Sequence, residues 1–427
     1  MTFSQYTIHN GLPVVSTDIP DSNSITILAL IKAGSVNEDI PGLAHFVEHA
    51  VFKGTEKRPT AFIINDEVER VGGYINAATS QEYTEYYIRM PSAYAAKAAD
   101  ILQDLLFSST LPENEMTKEK QVVIEEINMY EDMPVRSVPD IFYASLWRDE
   151  PWGRPILGTR DSVSAITRDD LARFIAAWYK PKNMLISIAG PVAKTNAIEL
   201  LEKSFGSIEC GDSVSMTPFC GVEEEGRECF EDEHLFIRID KKPLKQNHFC
   251  IGFIALAKGD KREYALEVGS AVLGEGTGSW LWQQVREELG ASYYLECEID
   301  AFFKTGLWYI RAGVENSKLY TVLGLIRAGY ERLSKGEFTD SELIRAKEYI
   351  KGDFIMNLEG SEELARYAAH ELFEIGHIKT TEEEIAAIEN ISKEDIQEVF
   401  TAICSGKLYI TLLGDQIEMM KVQEALS

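Results

Sequence analysis

Short apolar or alternating runs at 25–32, 74–78 and 85–90 read as strands, and similar runs recur at 235–239, 247–254 and 307–312. Between them, residues 92–107, 116–131 and 318–335 place apolar side chains every three or four positions, the period of an amphipathic helix. Strands with hairpin-like neighbours, mixed with long helices, predict an α+β fold in which a largely antiparallel sheet carries helices on one face.

The pattern occurs twice. The first half closes on Trp-Tyr-Lys-Pro-Lys-Asn-Met-Leu-Ile-Ser-Ile-Ala-Gly at 178–190, and the second on Gly-Lys-Leu-Tyr-Ile-Thr-Leu-Leu-Gly at 406–414. A helix start precedes each close, with Thr167 or Ser392 ahead of acidic residues in an N-cap pattern. Ile166 and Ile391 are 225 positions apart, and Gly190 and Gly414 are 224 apart. Two agreeing offsets predict tandem copies of one domain, at 1–206 and 235–427. The segment 207–234 is rich in Gly, Ser and acids (Glu223, Glu224, Glu225, Glu228, Glu231, Asp232, Glu233) and reads as an exposed linker.

A chain of 427 residues is too long for one ordinary core, which agrees with two domains. Acidic residues number 69 against 42 basic ones, a net charge of −27. That excess disfavours nucleic acid and anionic lipid as partners and would attract basic peptides. No apolar run reaches the roughly 18 residues of a membrane span. The opening Met-Thr-Phe-Ser-Gln-Tyr has no basic region followed by an apolar one, so the expectation is a cytoplasmic chain. Cys210, Cys220, Cys229, Cys250, Cys297 and Cys404 show no zinc spacing and read as reduced thiols.

The chemistry concentrates at His45-Phe46-Val47-Glu48-His49. Two histidines four apart share one face of a helix and can grip one metal ion, with Glu48 beside them. This is the zinc-protease helix in its inverted order, H-x-x-E-H. A third ligand must come from elsewhere, and the helix around 118–132 is the place to look. Its apolar stripe is Val122, Val123, Met129 and Tyr130, with Met133 close behind, and Glu119 and Glu126 fall on that stripe. A carboxylate on a buried stripe is costly unless paired or bound to metal, which makes Glu126 the better ligand candidate. Glu119, one heptad earlier, is placed to support a ligand. Glu125 is the runner-up, on the polar side with Gln121, Asn128 and Asp132. The competing reading pairs Glu126 with an arginine such as Arg70. The remaining histidines, 9, 234, 248, 370 and 377, have no ligand spacing.

Four blocks together resemble the insulinase/pitrilysin family of zinc metallopeptidases: Ala33-Gly-Ser-Val-Asn-Glu, Gly42-Leu-Ala-His-Phe-Val-Glu-His-Ala-Val-Phe-Lys-Gly-Thr, Gly72-Gly-Tyr-Ile-Asn-Ala-Ala-Thr and Val123-Ile-Glu-Glu-Ile. The match is strongest to short bacterial members related to mitochondrial processing peptidase, and it runs over essentially the whole chain. The resemblance implies one Zn2+ per chain on His45, His49 and Glu126, with Glu48 as general base and Glu119 as a family acid. It implies duplicated α/β-roll domains forming a clam-shell, the second without a zinc helix. The segment from Leu273 to Tyr293 resembles the family's second-domain region, whose Arg and Tyr, here Arg286 and Tyr293, contact the substrate backbone. Trp280, Trp282 and Ala50 depart from the usual pattern.

The implied activity is that of an endopeptidase hydrolysing extended, unstructured peptides in an enclosed cavity by zinc-activated water. Tyr74, Ile75, Asn76, Ala77 and Ala78, in a run to Thr79, alternate suitably for a sheet edge that pairs with a substrate backbone. Metal motif and Arg/Tyr pair on one chain favour a self-sufficient homodimer. The alternatives are a non-catalytic or partner subunit of a two-chain processing peptidase, or a core subunit of a respiratory complex.

Overall fold

The computed structural model describes residues 2–148, 150–211 and 228–427. Among the described residues, twelve strands form two six-stranded sheets. The first contains β1 (Phe3–Thr7), β2 (Pro13–Asp18), β3 (Ser24–Ile31), β4 (Tyr74–Thr79), β5 (Thr84–Pro91) and β6 (Met184–Gly190). The second contains β7 (Glu228–Glu231), β8 (Leu235–Lys241), β9 (Gln246–Ala255), β10 (Ser292–Ala301), β11 (Gly306–Glu315) and β12 (Leu408–Gly414). Their orders are β1-β2-β6-β3-β5-β4 and β7-β8-β12-β9-β11-β10, the same topology twice. Each has a single parallel pair, β2 with β6 and β8 with β12, among antiparallel ones. The repeat extends to the helix starts: Thr167 and Ser392 each close a capping box, with Asp170 and Asp395 respectively.

One face of the first sheet supplies Ile25, Ile27, Ala29 and Ile31 of β3, Tyr86 and Ile88 of β5 and Ile186 and Ile188 of β6 to a core. Phe46 and Val47 of helix Leu43–Val51 enter that core from the helical layer. Burying Phe46 alone stabilises the packing by roughly 1.5–3 kcal/mol. The metal-motif helix is therefore seated on a rigid layer.

The opposite face is covered as well, and the covering helix comes from the other half of the chain. Helix Ser361–Glu374 packs on β2, β3 and β6, where the Thr26 and Ser361 hydroxyls lie 2.9 Å apart. Reciprocally, helix Pro134–Leu146 packs on β9, β11 and β12, with Thr411 and Ser145 hydroxyls 3.3 Å apart. Two compact units result. One holds residues 2–129, 150–211 and 357–380, and the other 130–148, 228–356 and 381–427. The tandem halves describe the order along the chain, and in space each unit takes one helix from the other half. Coverage of both faces is why β3 is buried at seven of its eight positions instead of alternating.

Of the segment 207–234, residues 212–227, including Glu223, Glu224, Glu225 and Cys220, lie outside the described residues. Residues 228–231 form the edge strand β7, where Glu231 pairs with Lys407 at 2.9 Å. Among the described residues, no helix is long and apolar enough to cross a membrane.

Candidate metal centre

In helix Leu43–Val51 every residue except His45, Glu48 and His49 is apolar, and all six of those apolar side chains are buried. Apolar packing leaves one arc of the helix, and the three polar residues share it. The helix start is fixed by Glu38, which is fully buried. Its carboxylate accepts the N–H groups of Gly42 and Ala44, each at 2.8 Å, satisfying two free donors of the first turn. Burial pushes the Glu38 carboxyl up to about 8, against the pull of those donors and of Arg154. Gly42 has φ +86°, and a Cβ there would sit 2.7 Å from the Leu157 carbonyl oxygen, so only glycine fits the turn.

His49 Nδ1 donates to Glu119 Oε1 at 2.8 Å. A carboxylate only accepts, so the hydrogen sits on Nδ1 and the lone pair is left on Nε2. That Nε2 lies 3.2 Å from Nε2 of His45. Glu126 Oε2 completes a triangle, 3.7 Å from His45 Nε2 and 3.6 Å from His49 Nε2. Three ligands at ~2.0–2.1 Å from a tetrahedral zinc would stand about 3.3 Å from one another, close to these separations. A carboxylate oxygen of Glu48 also borders the group, within 4.8 Å of the two histidines' ligand atoms.

The electrostatics suit a cation. Burial and the neighbouring His49 hold His45 down at about 3, so its imidazole is neutral and its Nδ1 is buried without a hydrogen-bond partner. Burial works against the charged form of His49, but Glu119 and the carboxylates of Glu48 and Glu126 outweigh it and raise its pKa. Burial likewise opposes the charge on Glu119, yet its bonds to His49 and Lys53 leave its pKa lowered. Lys53 Nζ lies 2.7 Å from Glu119 Oε2. Three carboxylates thus surround two imidazoles, with this one ammonium held at the far oxygen of Glu119. The donor set fits a divalent zinc ion.

Burial raises the pKa of Glu48, opposed by a hydrogen bond from Thr79 and by His49 and reinforced by Glu126. The Thr79 hydroxyl donates to Glu48 Oε2 at 2.5 Å. Thr79 is the last residue of β4, which among the described residues pairs only with β5 and so forms an edge of the sheet.

The helix carrying Glu126, Glu113–Asp132, buries Met116, Glu119, Val123 and Ile127. Val122, Met129 and Met133 of the predicted stripe are solvent-exposed, and Glu126 is half-buried at the stripe's flank. The face is therefore narrower than its apolar residues suggest: Met116, Val123 and Ile127 join the core, while Val122 and Met129 do not. Glu125 is exposed. Arg70, the alternative partner for Glu126, instead pairs with Asp66 one turn earlier.

Two family models match the sequence: insulinase (peptidase family M16) over residues 13–160 and the peptidase M16 inactive domain over 165–350. An uncharacterized zinc protease of Bacillus subtilis, YmxG, is 34% identical over 395 residues, covering 92% of this chain and 93% of that protein. The chain belongs to the insulinase family, peptidase family M16. Another relative, an uncharacterized zinc protease of Rickettsia bellii, is 30% identical over 96% of this chain and 97% of its own length. Among solved structures, a protease from Helicobacter pylori superposes with a TM-score of 0.86 at 25% identity, over 97% of this chain and 99% of that one. A peptidase M16 inactive domain from Pseudomonas fluorescens gives 0.87 at 16% identity, over 98% of each chain, a likeness of fold.

The half of this M16 chain that matches the inactive-domain model holds the remaining predicted residues. Tyr293 is the extra residue of a β-bulge in the edge strand β10, between Ser292 and Tyr294, and its side chain is 78% exposed. The Arg286 guanidinium, on a π-helical turn Trp282–Glu288, lies 4.8 Å from the Trp282 ring and 5.4 Å from the Tyr293 ring. Trp280 is likewise under a cation, Arg332 at 5.2 Å. Sequence reasoning missed three contributors to the centre: Glu38, Lys53 and Thr79. Each stands inside one of the resembling blocks, but a block assigns no role to its members until their contacts are known.

Proposed function

We propose that this chain is a zinc-dependent endopeptidase acting on extended peptides. The observation that carries the reading is the Thr79–Glu48 hydrogen bond. It joins the end of an edge strand to a carboxylate beside two histidines. A peptide added as a further strand along β4, through Tyr74, Ile75, Asn76, Ala77 and Ala78, is thereby led to Glu48. Backbone pairing asks for an extended chain and little sequence.

His45, His49 and Glu126 would hold the zinc, with Glu119 fixing the tautomer of His49. Bound there, zinc supplies a Lewis acid that acidifies water and polarises a carbonyl. Glu48 takes the proton from the attacking water, its raised pKa making it a better base than an ordinary carboxylate, and returns the proton to the leaving amine. Thr79 keeps the Glu48 carboxylate turned toward that water. Arg286 and Tyr293 supply donors for the substrate backbone, supported by the exposure of the bulged Tyr293. The acidic excess of the chain fits basic peptides among its substrates.

Glu48→Gln tests the reading. It should retain zinc by metal analysis while hydrolysis of a quenched peptide falls about 1,000-fold or more. Retained turnover would remove Glu48 from the mechanism. Hydrolysis by the purified wild-type chain alone separates a self-sufficient enzyme from a partner subunit.

A further inference from the structure

The substrate-pairing strand β4 is an edge strand whose residues are at best half-buried, so its position depends on what holds the β4–β5 hairpin. Helix Ser361–Glu374, donated by the second half of the chain, meets that hairpin along its length. Glu362 bonds the Tyr74 hydroxyl at the start of β4. Arg366 pairs with Glu85 of β5, which is 2% exposed and lies directly opposite Ala78 of β4. The Arg366 guanidinium also lies 4.9 Å from the Tyr87 ring. His370 reaches the same Glu85 at 3.2 Å and puts its ring 4.7 Å from Tyr83, in the turn between the strands. Phe373 adds a ring contact to Tyr83 at 6.1 Å. Glu362, Arg366, His370 and Phe373 are spaced four, four and three apart, so one helical face makes every contact.

We infer that Ser361–Glu374 is a clamp that keeps β4 in register with Glu48, with Glu362 and Arg366 as its positioning residues. The Glu85 rung lies one residue from Thr79, the residue that holds Glu48. A charge buried at that rung demands its partner, so the hairpin cannot shift without leaving Glu85 uncompensated. Glu362 and Arg366 act at Tyr74 and Glu85, on the strands and not on the candidate zinc ligands or Glu48. The clamp sets where an added peptide strand lies, and so rests on the proposed peptidase reading.

The test uses the full-length chain and two readouts. Hydrogen exchange follows the amides of β4 and, as a control, those of the opposite edge strand β1. Peptidase assays compare a peptide of about ten residues, long enough to pair with all of β4, with one of about four that reaches only its Thr79 end. Glu362→Gln should speed exchange at the Tyr74 end of β4 about tenfold, leave β1 unchanged, and raise KM for the long peptide about tenfold more than for the short one. Arg366→Gln should act on the whole hairpin and Arg366→Lys should restore part of the protection. If Arg366→Gln does not fold, Glu362→Gln alone decides. Unchanged β4 exchange in Glu362→Gln, or equal acceleration of β4 and β1, overturns the clamp. A wild-type chain that cleaves neither peptide overturns the peptidase reading instead, because the exchange measurement needs no turnover.

Discussion

Glu119 sits one step behind the candidate metal site, and its removal should be read in zinc affinity. Its Oε1 accepts from His49 Nδ1 at 2.8 Å and its Oε2 meets Lys53 at 2.7 Å. Glu119→Gln keeps an oxygen for the Nδ1–H but removes the charge. A charge-assisted hydrogen bond contributes ~1.5–3 kcal/mol and a neutral one ~0.5–1.5, so the change costs about 1–1.5 kcal/mol, roughly tenfold in zinc affinity. Glu119→Ala also frees the imidazole to turn, and the loss should approach 100-fold, the upper range for groups supporting a metal ligand. Competition against a chromophoric chelator measures both. Lys53→Met is the control: it leaves Glu119 with its full charge on His49, so zinc should bind as tightly as before or more so. If Lys53→Met weakens zinc as much as Glu119→Gln, local packing and not the charge on His49 governs affinity, and the reasoning fails. Zinc affinity unchanged within twofold in Glu119→Ala would refute it outright.

Thr79→Val removes the donor that lowers the pKa of Glu48, so that pKa rises further. Activity needs the carboxylate, and the acid limb of the pH–rate profile should move to higher pH while zinc content stays constant; an unmoved limb counts against Glu48 as the base. In the second unit, burial and neighbouring carboxylates push Glu267 up to about 7, and Glu275 reaches about 7 in the same way. Acids raised above their unfolded values near 4.3 contribute stability that is full at low pH and lost as pH rises through ~7, so each group should cost about 1 kcal/mol between pH 6 and 8. Glu38, with its carboxyl at about 8, adds to the loss over the same range, so the melting temperature should fall by several degrees and Glu267→Gln should remove about a quarter of the slope; a flat wild-type profile would contradict the assignment.

Much of the molecule was legible along the chain. Period-2 and period-3.6 patterns mark central strands and long helices because each element must hide one face. The repeat is visible in two agreeing offsets because both copies end on the same helix–strand unit. The His45-x-x-Glu48-His49 spacing defines a metal-gripping face on any helix, and the resembling blocks set it in its family. The strands β1, β2 and β6 were harder to see. They are short or, in β6, buried at every position, and continuous burial has no period to detect.

Tertiary structure decided the rest, since periodicity says that a face is covered and never by what. Val122 and Met129 look like core and lie in solvent, while Glu126 turns from the flank of that helix to the two imidazoles. Glu362, Arg366 and His370 read as an ordinary polar helix face. They become a structural element only because the helix lands on the β4–β5 hairpin, more than 270 positions upstream. Thr79 and Glu48, 31 residues apart, likewise have no local signature. Spacing within single elements is enough to show the duplicated α+β pattern and the histidine pair with its carboxylate. The helix exchange, the company of Glu126 and the hydroxyl that holds Glu48 depend on contacts between distant segments, and only packing in three dimensions brings those together.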